Sequence, residues 1–144
     1  ATALAAIGGE RAASQLRAAA SRAKGKSRLN LIDALAALAE PKSAATFKDA
    51  LKDKNRDVRI AAAVGLANLG QSAAAVPLFK AAESAKGWER TQTTKACLVL
   101  AEKLAGAGKK SDAKRIYQQL QDTRTGESEQ HIREAAKRGL AAIA

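Results

Sequence analysis

The sequence has no methionine, one tryptophan, one tyrosine, two phenylalanines and two prolines, Pro41 and Pro77. Aromatics amount to 3% of the chain, and a chain so poor in them and in β-branched runs reads as all-α. Alanine and leucine, both strong helix formers, supply most of the apolar surface. The single cysteine, Cys97, excludes an internal disulfide. The single histidine, His131, stands in the polar start of a helical pattern. No carboxylate pair, glycine-rich phosphate loop or metal-ligand cluster accompanies it. No catalytic, cofactor-binding or metal-ligating residue is therefore expected, nor a small-molecule substrate, and the chain reads as a non-enzyme. No apolar run approaches the roughly 20 residues that span a bilayer, and no charged n-region and apolar h-region open the sequence. The compartment stays open. A helical pattern from the first residue and the lack of methionine lead us to expect a segment of a longer protein.

What is present is a chain of 144 residues, 47% hydrophobic, which is enough for one domain with a core and too apolar for disorder. The net charge is +11 and the pI near 10.2, a balance that favours acidic or polyanionic partners.

Self-similarity organises the chain. Arg28, Arg59 and Arg90 recur at a spacing of 31 residues. Leu16, Phe47 and Leu78 hold the same register, as do Leu4, Leu35, Leu66 and Cys97, and Ile7, Leu38, Leu69 and Leu100. A period in this range marks stacked supersecondary units. Cys97, in the Leu66 column, reads as a core residue.

Each unit resolves into two helices. In Asp57–Gly70, apolar residues at 58, 62, 66 and 69 mark one helical face. Asn55 or Asp57 can cap its start, and Gly70 stands where a left-handed residue stops a helix. The next helix begins near Ser72 with Pro77 in its first turn or two, where a missing N–H costs least. Outer helices are expected near 10–24, 43–53, 72–85 and 111–121, and inner helices near 1–7, 28–39, 57–69, 88–106 and 129–143. Turns are expected at Gly8-Gly9, Gly25, Glu40-Pro41, Gly70, Gly87, Gly106 to Gly108 and Gly126. The expected organisation is one domain over 1–144, with units at 1–8 (partial), 9–39, 40–70, 71–107 and 108–144. Arg133 matches Arg59 in context but lies 43 residues beyond Arg90. The added length falls in a longer helix before Gly106 and a polar loop, Asp122 to Ser128.

The stretch Leu51–Gly70, with Asp57, Val58, Arg59, Leu66 and Leu69 at its helix, resembles the core of a HEAT repeat. It is closest to the short bacterial variety of about 30 residues, also seen in phycobilisome lyases; Ile132–Leu140 is similar. The resemblance covers essentially the whole chain, most strongly 43–78 and least 88–128. It implies an all-α fold, an α-α superhelix in the form of a right-handed HEAT-like solenoid of about four helix pairs. It also implies that the Asp and Arg opening the inner helix form a ladder between units. Here that ladder would comprise Asp57 and Arg59, with arginine alone at Arg28, Arg90 and Arg133.

In such a stack the inner helices line a concave, partner-binding face. Outward columns run Leu29, Ile60, Thr91 and Glu134; Asp33, Val64, Lys95 and Arg138; and Ala36, Ala67, Leu98 and Ala141. Leu29, Ile60, Val64, Lys95, Leu98 and Arg138 are the candidate partner surface, an apolar groove for a helix or extended peptide with basic residues beside it. The turns between outer and inner helices carry Arg22, Lys24, Lys26, Lys52, Lys54, Arg56 and Lys86, a candidate basic edge. The aromatics that interleave such edges in single-strand binders are missing apart from Trp88. The favoured function is a protein-interaction scaffold that binds another protein or another domain of the same one. The alternative is a nucleic-acid-binding solenoid that uses the basic edge.

Overall fold

The computed structural model describes the backbone of residues 2–144 and the side chains from residue 8 onward. Among the described residues there are eight α-helices and no strand: α1 (Thr2–Arg22), α2 (Gly25–Leu38), α3 (Ala44–Ala50), α4 (Arg56–Asn68), α5 (Ala75–Ser84), α6 (Gly87–Gly106), α7 (Lys110–Thr123) and α8 (Gln130–Ile143). Three short 3-10 turns, Pro41–Ser43, Ser72–Ala74 and Glu127–Glu129, lead into α3, α5 and α8. The all-α fold of paired helices read from the sequence is the observed one. Leu4 and Ile7, the first members of two repeat columns, lie outside the residues whose side chains are described.

Two compact units divide the chain, Ala1–Leu69 and Gly70–Ala144. In the first, α2 packs on both α1 and α4, and α3 packs on α4. Its core is Ala13, Ala20, Ile32, Leu35, Phe47, Ala50, Val58, Ala62, Ala63 and Leu66, none of them accessible to solvent. Alanine at 62 and 63 lets the α4 backbone approach its neighbours closely. Gly65 extends this: a methyl group there would lie 2.7 Å from the Phe47 ring. The side chain of Asn55 caps α4 by accepting from the amides of Asp57 at 2.8 Å and Val58 at 3.4 Å, which decides between the two cap candidates. Gly70 takes the left-handed conformation expected of it, φ 64°.

In the second unit, α6 packs on α5, α7 and α8, and α7 packs on α8. Leu78, Ala82, Leu100, Ala101, Leu104, Ala113, Leu120 and Ala136 fill its core. Gly139 on α8 repeats the role of Gly65, since a Cβ there would overlap the Tyr117 ring of α7. Pro77 stands in the first turn of α5, as its missing N–H requires.

Three expectations are corrected. No turn forms at Gly8-Gly9; α1 continues through both, neither takes a positive φ, and glycine in a helix costs only about 1 kcal/mol. Leu38 is not core but 43% exposed. It is the last residue of α2, and Ala39 at φ 50° turns the chain away behind it. Ala67 does not face outward but is 1% exposed. With neighbours α2 and α3, α4 buries Val58, Ala62, Ala63, Gly65, Leu66 and Ala67, a wider arc than one stripe.

Candidate interaction surfaces

The arginines near the inner-helix starts make two kinds of contact. Two of them brace the loop that precedes their own helix. Arg59 donates from Nη1 to the carbonyls of Asp53 at 2.8 Å and Lys54 at 3.0 Å. Arg133 donates from Nη1 to the carbonyls of Arg124 at 2.6 Å and Gly126 at 2.7 Å. The other two reach forward to carboxylates. Arg28 meets Asp53 at 2.5 Å and Asp49 at 3.0 Å. Arg90 meets both oxygens of Glu129, from Nε at 3.0 Å and from Nη2 at 3.2 Å. That pair holds the Glu129 carboxyl below its usual range and raises Arg90 above its own. Asp53 thus joins two repeats, its side chain held by Arg28 and its carbonyl by Arg59. The Asp57 carboxylate lies 3.9 Å from Arg56 Nε, with both side chains well exposed.

The polar loop of the second unit is anchored by Arg124, a residue that sequence reasoning passes over. Its side chain has no solvent exposure. It is ion-paired to Glu83, donates from Nε to Thr94 Oγ1 at 3.2 Å, and has its guanidinium carbon 5.3 Å from the Phe79 ring centroid. Glu129 Oε2 lies 3.6 Å from the same Nε. The loop that breaks the 31-residue period is therefore tied to α5, α6 and the α8 entrance by one buried cation.

Beside it a cavity of about 230 Å3 is lined by Arg90, Thr94, Ser128, Glu129 and His131. Its two charged groups, Arg90 and Glu129, already satisfy each other. Among the described residues no group of three His, Cys, Asp or Glu side chains is placed to hold a metal. Cys97 is buried, and desolvation pushes its thiol up to about 12, which leaves it un-ionised at neutral pH.

The seven cations of the candidate basic edge are all exposed. Arg22, Lys24 and Lys26 flank the α1–α2 turn, and Lys52, Lys54 and Arg56 flank the α3–α4 loop. Arg28, bonded to Asp49 and Asp53, draws these two groups together. Lys86 belongs to the second unit. Of the candidate partner surface, Leu29 and Ile60 are half-buried and Val64 is 41% exposed, on the packed helices α2 and α4. Lys95 and Leu98 on α6 and Arg138 on α8 belong to the second unit, the lysine and arginine exposed and the leucine half-buried.

A further surface lies between α5 and α7, both packed on α6 but leaving a groove of about 720 Å3. Ala75, Val76, Phe79 and Ile116 give it an apolar lining, and Lys80, Asp112, Arg115 and Asp122 stand among its polar residues. Val76 is 76% exposed. Its sequence signal is weak: Val76 and Phe79 fall off the α5 stripe of Leu78 and Ala82 that faces the core.

These features describe a chain of paired helices whose units repeat loop bracing by arginine. A family model of HEAT repeats matches residues 18–99, more than half of the chain. The chain belongs to the HEAT-repeat family. Neither characterised proteins nor solved structures yield a match over it. HEAT repeats typically serve as non-enzymatic scaffolds that bind other proteins, and no helix among the described residues is long and apolar enough to cross a membrane.

Proposed function

We propose that this HEAT-repeat chain is an interaction scaffold that receives an apolar segment of a partner polypeptide in the α5–α7 groove. The observation that carries the proposal is Val76, 76% exposed at a groove whose other apolar lining is Ala75, Phe79 and Ile116. An isolated exposed valine needs no explanation, but one beside an unfilled apolar groove does. A volume of about 720 Å3 accepts a few large side chains from one face of a helix, the usual way a helical groove reads a partner. The polar rim, with both signs of charge, then sets register and orientation. The partner is another protein or another domain of the same protein, and catalysis is not among the chain's own tasks.

The partly exposed apolar side chains of Leu29, Ile60 and Val64 on α2 and α4 support a second docking face of the same class. Selection of peptides from a displayed random library on the immobilised chain tests both faces. The expected outcome is enrichment of amphipathic helical sequences whose binding drops at least tenfold with Val76→Lys. Loss with Val64→Lys instead moves the site to the α2–α4 face. No enrichment, or binding indifferent to both changes, overturns the proposal.

A further inference from the structure

We infer that the α1–α2 turn and the α3–α4 loop together form a site for the phosphate backbone of duplex nucleic acid. Arg22, Lys24 and Lys26 stand on the first segment and Lys52, Lys54 and Arg56 on the second, all six exposed. Of the acidic residues near them, Asp53 is withdrawn from solvent, at 13% exposure. Arg28 engages Asp49 and Asp53, and Asp53 Oδ1 also accepts from the Asn55 amide at 2.7 Å. Asp57 faces only Arg56, at 3.9 Å and well exposed, a pairing that solvent screens. Among the described residues none of the four lysines is drawn into an ion pair. Arg28 therefore withdraws Asp53 from the surface, leaves Asp49 77% exposed, and ties the start of α2 to the α3–α4 loop that carries the second group of cations.

The composition of the patch selects its partner. Four of the six cations are lysines, a residue depleted from protein–protein interfaces, and no aromatic stands in 20–28 or 51–58. An acidic protein would ask for an apolar centre, and a single strand for a stacking platform. A duplex backbone asks for neither: it offers regularly spaced charges, and cations that displace condensed counterions gain affinity without reading sequence. This goes beyond the scaffold reading and uses a surface separate from the α5–α7 groove.

The test is fluorescence anisotropy of a labelled mixed-sequence duplex titrated with the intact chain over a salt series. If the six cations meet about six phosphates, log K falls against log salt with a slope of about −5, close to a thousandfold loss between ~50 and ~200 mM salt. Replacing Lys24, Lys26 and Lys54 with Gln should lift that slope by about 3, at roughly 0.9 per phosphate. Replacing Lys109, Lys110 and Lys114, exposed in the other unit, changes net charge equally and should move the slope by less than about 1. Exposed lysines away from packed contacts contribute little to stability, so unchanged helical content and melting keep the comparison valid. No binding at ~50 mM salt, equal effects of the two triples, or equal affinity for polyglutamate would each overturn the inference.

Discussion

Arg90 and Glu129 meet through two parallel hydrogen bonds, at 3.0 Å and 3.2 Å, across a sequence separation of 39 residues. This fork joins the first turn of α6 to the 3-10 turn that leads into α8. Because the contact favours ionised Glu129, its folded pKa lies below its ordinary value of 4.5. The stability it contributes is thus full above that value and lost as pH falls through the lower, folded one. Both side chains are mostly shielded, at 27% and 20% exposure. Glu129→Gln should cost about 1–2 kcal/mol at neutral pH. Urea unfolding at neutral pH and near pH 3 checks this: the gap between wild type and variant should shrink in acid.

Arg124 ties the loop after α7 to α5 and α6. Arg124→Ala removes a buried cation along with the stacking of its guanidinium over Phe79, and should cost about 2–4 kcal/mol. Glu83, 45% exposed, returns to water when its partner goes, whereas the buried Thr94 hydroxyl loses a donor that water does not replace. Arg124→Met, which refills the space, should recover at least half of that cost in urea titrations.

Phe47 and Gly65 are matched in size. Alanine in place of a mid-helix glycine ordinarily gains about 1 kcal/mol. Here a Cβ would lie 2.7 Å from the ring, so Gly65→Ala should destabilise instead, by about 1–3 kcal/mol. The repeat offers its own control. The Phe47 column carries leucine at 16 and 78, where the Gly65 column carries alanine at 34 and 96. In a double-mutant cycle, Phe47→Leu with Gly65→Ala should be more stable than the sum of the two single changes predicts.

Cys97 should ignore a thiol reagent while the chain is folded. Its side chain is buried and un-ionised at neutral pH, and the thiolate is the reacting form. Labelling should therefore accelerate sharply on adding denaturant, with the same midpoint as the loss of helix.

The regular helices were legible because a 31-residue register repeats both the apolar columns and the punctuation. Gly70 acts on its neighbours alone, and its role could be read from order in the chain; for the start of α4 that order left Asn55 and Asp57 as two candidates. The size match of Phe47 with Gly65 was also present as paired columns, visible once the two helices are known to touch. Arg124 was not legible. It stands in a polar loop, where a charged residue reads as solvated, and its partners lie 30 and 41 residues away at Thr94 and Glu83. Gly8 and Gly9 misled in the other direction, because a glycine pair ends a helix only if the chain after it turns away. The α5–α7 groove is space between elements, and no residue pattern encodes it directly.

The most direct test of the scaffold reading is amide and methyl chemical-shift mapping of the intact chain with a helical peptide selected against it. The account predicts perturbations concentrated at Ala75, Val76, Phe79, Ile116 and Gln119, with smaller changes at the rim residues Asp112 and Asp122. Perturbations scattered over both units, or absent from α5 and α7, would contradict it.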